Sequence, residues 1–206
     1  MSNQIVRRTF LKYCVLMAGS VVSGTYLLSS ASYAAQSGKP PRILVVYFST
    51  PETDNPHNMT REEENSTVVI NGKVLGNTQY VAQLIQEMTG GDIFRILPQK
   101  PYPTDHRTLV DLAREEQKQD ARPTIAGKIE SPEAYDTIFI GYPNWWGDMP
   151  MILYTFLEQY DFSGKTIIPF CTHGGSGFSG ALNTIAELQP EALVYENGLS
   201  ISRNAV

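Results

Sequence analysis

Three short segments of the chain carry residue types suited to holding a charged, planar ligand. The first is Ser49-Thr50, continued after an interruption by Gly76-Asn77-Thr78-Gln79 at the start of a helical pattern. Hydroxyls beside unpaired backbone N–H groups at a helix N-terminus form an anion site. Helix capping by Asn77 or Thr78 is the alternative use of the same residues. The second is Gly141-Tyr142-Pro143-Asn144-Trp145-Trp146-Gly147-Asp148-Met149-Pro150, which places both tryptophans of the protein side by side in a loop. A core uses tryptophans singly inside an element, so an exposed pair points to stacking on a flat ring or to contact with a partner. The third is Thr172-His173-Gly174-Gly175-Ser176-Gly177-Phe178. Its small residues let the backbone approach a ligand and offer several N–H donors.

Together the segments describe an anion cradle, an aromatic slab and a Gly-rich wall. A phosphate carried by a planar heteroaromatic ring fits them, and flavin mononucleotide (FMN) is the expected cofactor. Other chemistries find little support. There is no Gly-x-x-x-x-Gly-Lys motif and no Gly-x-Gly-x-x-Gly after the first strand, which argues against nucleoside triphosphate hydrolysis and against a dinucleotide site. His57, His106 and His173 lack metal-ligand spacing, and no metal is expected. Cys171 borders the third segment without an acid–base partner and reads as a small buried residue, so no catalytic residue is assigned.

The elements that position these segments follow from periodicity. Ile43 to Phe48 is a continuous apolar run, the pattern of a strand covered on both faces. Asn77 to Met88 reads as a helix with Val81, Leu84, Ile85 and Met88 on one face, stopped by Gly90-Gly91. Strands are expected at Ile93 to Leu97, Thr137 to Gly141, Thr166 to Phe170 and Leu199 to Ser202. Helices are expected at His106 to Gln119 (Leu109, Leu112 and Ala113 inward), Pro150 to Tyr160 and Gly180 to Leu188. Alternation at this spacing predicts a three-layer α/β/α sandwich around a five-stranded parallel sheet. Ligands of such sheets bind outside the carboxyl ends of the strands, where all three segments fall. Residues 51–75 form a long insertion after the first strand, acidic at first and then a hairpin around Asn71-Gly72.

Length and charge fit one domain. The chain has 206 residues, 16 basic and 21 acidic, for a formal charge of −5. Arg7-Arg8-Thr9-Phe10-Leu11-Lys12 precedes an apolar stretch from Tyr13 to Ser30 and a small-residue end at Ser32-Tyr33-Ala34, the three parts of a secretory signal. Gly19, Ser20, Ser23 and Gly24 weaken the stretch as a permanent membrane anchor. Residues 1–34 are therefore expected to be removed, 35–41 to be a linker and 42–206 to be the working domain. Losing Arg7, Arg8 and Lys12 leaves 13 basic against 21 acidic residues, a net −8. That balance argues against nucleic acid, and against membrane contact beyond the transient signal. Only Cys171 outlasts the signal, so no internal disulfide is expected.

The segments Gly141 to Gly147 and Pro169 to Gly177, with Arg122-Pro123 and Phe162-Ser163-Gly164-Lys165, resemble a bacterial branch of the flavodoxin-like family over about residues 42 to 202. The Arg-Arg-x-Phe-Leu-Lys run resembles a twin-arginine export signal, which implies a periplasmic or secreted protein exported already folded. The flavodoxin resemblance implies strand order 2-1-3-4-5. It assigns the FMN phosphate to Ser49, Thr50, Asn77 and Thr78. One side of the isoalloxazine falls to Pro143, Asn144, Trp145 and Trp146, the other to Thr172, His173, Gly174, Gly175 and Gly177. It implies an electron carrier serving a redox partner protein or a small-molecule acceptor, with acidic surroundings lowering the flavin potential. An FMN-dependent NAD(P)H or quinone oxidoreductase and a cofactor-free interaction module are the alternatives. Two departures stand out: the insertion splits the phosphate loop, and the family's final helix is missing after Ser202. The second predicts an apolar patch on the sheet, hidden by a second copy or other chain segments unless the gene product is truncated.

Overall fold

The computed structural model describes residues 41–206; the signal and all but the last linker residue lie outside the described residues. In chain order the elements are β1 (Ile43–Phe48), α1 (Arg61–Ser66), β2 (Thr67–Ile70), β3 (Lys73–Gly76), α2 (Asn77–Thr89), β4 (Asp92–Pro98) and α3 (His106–Lys118). They continue with β5 (Ile125–Ala126), β6 (Thr137–Pro143), α4 (Met151–Gln159), β7 (Thr166–His173), α5 (Ala181–Leu188), β8 (Leu193–Val194) and β9 (Leu199–Ser202).

β1 shows why its run is apolar throughout. Successive side chains alternate between sheet faces. Leu44, Val46 and Phe48 enter one buried cluster with Ile138, Ile140 and Phe156, while Val45 and Tyr47 enter another with Val81, Ile85 and Phe139. β4, β1, β6 and β7 lie side by side and parallel, and β8 and β9 both pair parallel with β7. This is the expected order 2-1-3-4-5. Two details differ. The fifth strand is split, because the chain between β8 and β9 presses Gly198 onto the Pro169 carbonyl, where an added Cβ would lie 2.2 Å away. β5 also adds a short antiparallel edge to β4, two residues long and too brief to leave a periodic signal.

The helices keep their expected bounds to within one or two residues. Gly90 ends α2 in the left-handed region, its N–H donating to Gln86 O at 2.8 Å. α3 starts at Asp105, whose carboxylate accepts from the Thr108 N–H at 2.9 Å. Leu109 and Ala113 of α3 are buried, but Leu112 is 38% exposed. The inward stripe of this helix is a narrow i, i+4 pair, and a residue three positions on falls outside it.

The insertion is ordered. Asn71 and Gly72 both take positive φ in the expected hairpin turn. Its acidic half forms α1, closed by a capping box in which Thr60 and Glu63 satisfy each other's N–H groups. The hairpin residues Val68, Ile70 and Leu75 pack against Tyr80 and Leu84 of α2. On the sheet face where the final helix was expected, Phe139, Ile168, Phe170, Leu199 and Ile201 are all buried, with Val206 packed among them. The expected apolar patch is thus not an exposed one.

Candidate functional site

β1, β6 and β7 end at the same edge of the sheet, and the loops leaving them surround a cavity of about 340 Å³. Ser49, Thr50, Asn77, Thr78, Pro143, Asn144, Trp145, Trp146, Thr172, His173 and Gly174 all line it. Gly175 and Gly177 do not. They shape the loop instead, at φ values of +146° and +61° that favour glycine.

At the cradle end, α2 begins at Gly76 with no side-chain cap on its first N–H groups. Capping by Asn77 or Thr78, the alternative use of these residues, is therefore not what the structure shows. Uncapped amides of a thirteen-residue helix suit an anion. The Ser49 hydroxyl lies where a Cβ on Gly76 would come within 2.1 Å of it, so only glycine admits that hydroxyl to the helix start. Arg95 Nη2 donates to Ser49 O at 2.9 Å and fixes this turn from β4. Thr78 and Thr172, buried from the first and third segments, join their hydroxyls at 2.7 Å. The Asn77 side chain plays a different part from the one expected. Its Nδ2 donates to Asn65 O at 2.9 Å, and its buried Oδ1 has no partner among the described residues. A carbonyl oxygen repels phosphate oxygens and takes a hydroxyl, so the group Asn77 offers to an anion is its backbone N–H.

In the loop after β6 the two indoles part company. Trp145 and Asp148 exchange backbone hydrogen bonds of 2.9 and 3.1 Å around Trp146 and Gly147, both at positive φ. Positive φ at a bulky residue is a strained conformation concentrated at functional sites. The turn sends Trp145 inward, where it meets Phe48 and Tyr102 edge to face at ring-centroid distances of 5.5 and 5.6 Å. Trp146 stays half exposed, its Nε1 donating to Val110 O at 3.0 Å and the Arg114 guanidinium 4.8 Å from its ring centroid. The exposed pair expected from sequence is one half-buried indole and one outer indole, because consecutive residues in such a turn point to different sides. Asn144 braces the loops: its Nδ2 donates to Gly177 O at 3.0 Å and its Oδ1 accepts from the Gly147 N–H at 3.1 Å.

On the opposite wall the Gly175 N–H donates to His173 Nδ1 at 3.0 Å, and His173 Nε2 meets Ser200 Oγ at 3.0 Å. An Nδ1 that accepts must be unprotonated, so these contacts assign the neutral ring with its proton on Nε2. Burial holds this imidazole below its ordinary range. The unfolded chain titrates His173 near ~6.5. Its contribution to stability is therefore complete above that pH and is lost as pH falls toward the lower folded-state value. Urea unfolding of wild type and His173→Asn between about pH 7 and 5.5 is expected to show a shallower acid loss in the variant. Equal slopes would place the proton elsewhere. Burial also raises the Cys171 thiol to about 12, so it remains a neutral packing group.

A family model described as flavodoxin matches residues 67–204. The chain belongs to the flavodoxin family. Its similarity extends to solved structures. A candidate flavoprotein from Bacteroides eggerthii is 29% identical with a TM-score of 0.61, over 81% of this chain and 93% of that one. A second, from Bacteroides uniformis, is 31% identical with a TM-score of 0.59, over 76% and 88%. A flavoprotein from Lactobacillus acidophilus in complex with FMN shares the fold at 17% identity and a TM-score of 0.56, over 81% and 95%. Among curated proteins none matches.

The cavity of this flavodoxin-family chain is also lined by residues that the sequence reading did not single out. Glu52, Asn65 and Ser66 come from the insertion, His106 and Leu109 from α3, and Arg203 from the turn after β9. The Arg203 guanidinium lies 3.2 Å from where a Cβ on Gly174 would stand. Burial raises the Glu52 carboxyl above the usual carboxylate range, against the pull of His106. A local signal existed only for α1, whose Thr60-x-x-Glu63 capping box is legible. The other residues reach the cavity through tertiary structure alone.

Proposed function

We propose that the chain is an exported flavodoxin-family protein that binds FMN without a covalent link and carries electrons between a donor and an acceptor. The observation that supports this most is the arrangement of one cavity. An uncapped helix start with the Ser49 hydroxyl shares its lining with Trp145, Trp146 and the His173-Gly174 wall. That donor set fits a phosphate joined to a flat ring. FMN, when bound, supplies the ability to accept and release electrons. The chain's own residues bind and orient it: the α2 amides and Ser49 take the charged end, and Asn144 holds the two ring loops in register. His173, kept neutral by the Gly175 N–H, offers no cation to the ring. The Arg-Arg-x-Phe-Leu-Lys segment supports export by the twin-arginine route to the periplasm or beyond. The acceptor is a redox protein or a small molecule; the acidic balance disfavours nucleic acid.

A second reading, an FMN-dependent NAD(P)H or quinone oxidoreductase, draws on the extra polar wall supplied by Glu52 and His106. The visible spectrum of the purified mature protein, with the released cofactor identified by mass, tests the first statement. Flavin absorbance and the mass of FMN are expected. Neither absorbance nor quenching of tryptophan fluorescence on adding FMN would leave a cofactor-free interaction module. Turnover of NAD(P)H with a quinone at about 10 per second would instead establish the oxidoreductase.

A further inference from the structure

The extra wall of the cavity contains a joined set of groups. The loop after β1 turns Glu52 inward until its side chain is 6% exposed, and its Oε2 lies 2.9 Å from His106 Nδ1. The Ser66 hydroxyl, at the end of α1, donates to the Glu63 carbonyl at 3.2 Å, and Ser66 lines the cavity beside Glu52. The neighbouring Asn65 carbonyl accepts from Asn77 Nδ2 at 2.9 Å, and Asn77 is the first residue of α2. The Glu52–His106 pair and the helix start where the anion is expected line the same cavity. With Nδ1 committed to Glu52, the half-exposed His106 ring has Nε2 left for a ligand.

We propose that His106, held by Glu52, is the cationic member of the anion cradle and reads the phosphate that distinguishes FMN from riboflavin. The inference rests on the FMN reading above. A carboxylate as buried as Glu52 is costly unless paired. A phosphate dianion entering the same cavity would be repelled by Glu52 and by Glu62 of α1, which also lines it. Protonated His106 reduces the pair's charge from −1 to zero and adds a charge-assisted N–H···O bond. The other charges near the pair pull both ways. The acids are Glu62, which acts on Glu52, and Asp105, next to His106; the bases are Arg107, beside it on α3, and Arg203, which lines the cavity.

FMN and riboflavin titrations of the full mature chain test this. His106→Gln is expected to weaken FMN binding about tenfold near pH 6 and to leave riboflavin within about twofold. Glu52→Gln is expected to bind FMN at least as tightly as wild type, since a negative charge has left the cavity. In NMR, the His106 ring signals, identified by their loss in H106Q, should titrate at higher pH with FMN bound than with riboflavin bound. Equal losses for both flavins in H106Q, no loss for either, or an unmoved titration would overturn the proposal. Should neither flavin bind, the FMN reading fails separately and inorganic phosphate decides. Movement of the His106 signals together with the Asn77 and Thr78 amides upholds the pair as an anion site, and no movement overturns it.

Discussion

Trp145→Ala is expected to weaken FMN binding by roughly 10- to 100-fold and to destabilise the flavin-free protein by about 2–3 kcal/mol. Trp146→Ala is expected to lose a similar share of affinity with stability held to within about 0.5 kcal/mol. The difference follows from what each indole touches. Trp145 is edge-on to Phe48 and Tyr102, which themselves meet at 5.5 Å, so its removal opens a three-ring cluster at the end of β1. Its partial exposure keeps the cost below that of a fully buried aromatic. Trp146 contributes one hydrogen bond to Val110 O and an exposed contact with Arg114, each of small net worth in water. Urea unfolding of the flavin-free variants reads stability, and fluorescence titration using the remaining tryptophan reads affinity. Unchanged FMN affinity in both variants would show that the ring does not lie at this end of the cavity.

The split between the indoles also marks where sequence reading stops. A strand covered on both faces announces itself through consecutive apolar residues, and β1 does so from Ile43 to Phe48. Loops that end such strands announce themselves through residues a core would reject, as Gly141 to Pro150 and Thr172 to Phe178 do. That was enough for a parallel sheet wrapped by helices and for eleven of the residues around the cavity, while the strand order came with the flavodoxin resemblance. It was not enough for side-chain direction, because Trp146 diverges from Trp145 through a positive φ that tryptophan ordinarily avoids. Nor could it join Glu52 to His106, 54 positions away, since no local period links a loop residue to the first turn of a later helix. Arg203 is a third case: only the pairing of β9 with β7 carries it to Gly174.

Gly76→Ala is expected to lower FMN affinity by roughly tenfold or more while costing at most about 1 kcal/mol of stability. Gly76 has φ −66° and ψ 146°, a conformation alanine adopts freely, so the backbone itself tolerates the change. The obstacle is local. The new Cβ would lie 2.1 Å from Ser49 Oγ, yet 3.4 Å from Ser49 Cβ and 3.6 Å from Pro51 Cδ. Rotation of one serine side chain relieves the clash and removes the hydroxyl from the helix start. A double-mutant cycle isolates that event. If Gly76→Ala acts by displacing the hydroxyl, Ser49→Ala alone loses the same affinity and the two together lose no more. Additive losses would mean that the methyl group itself obstructs the cofactor. Riboflavin, which lacks the phosphate, should bind all three variants as it binds the wild type. Wild-type FMN affinity in Gly76→Ala would remove the phosphate from the start of α2, because no bound oxygen could share that space with the displaced hydroxyl and the added methyl unchanged.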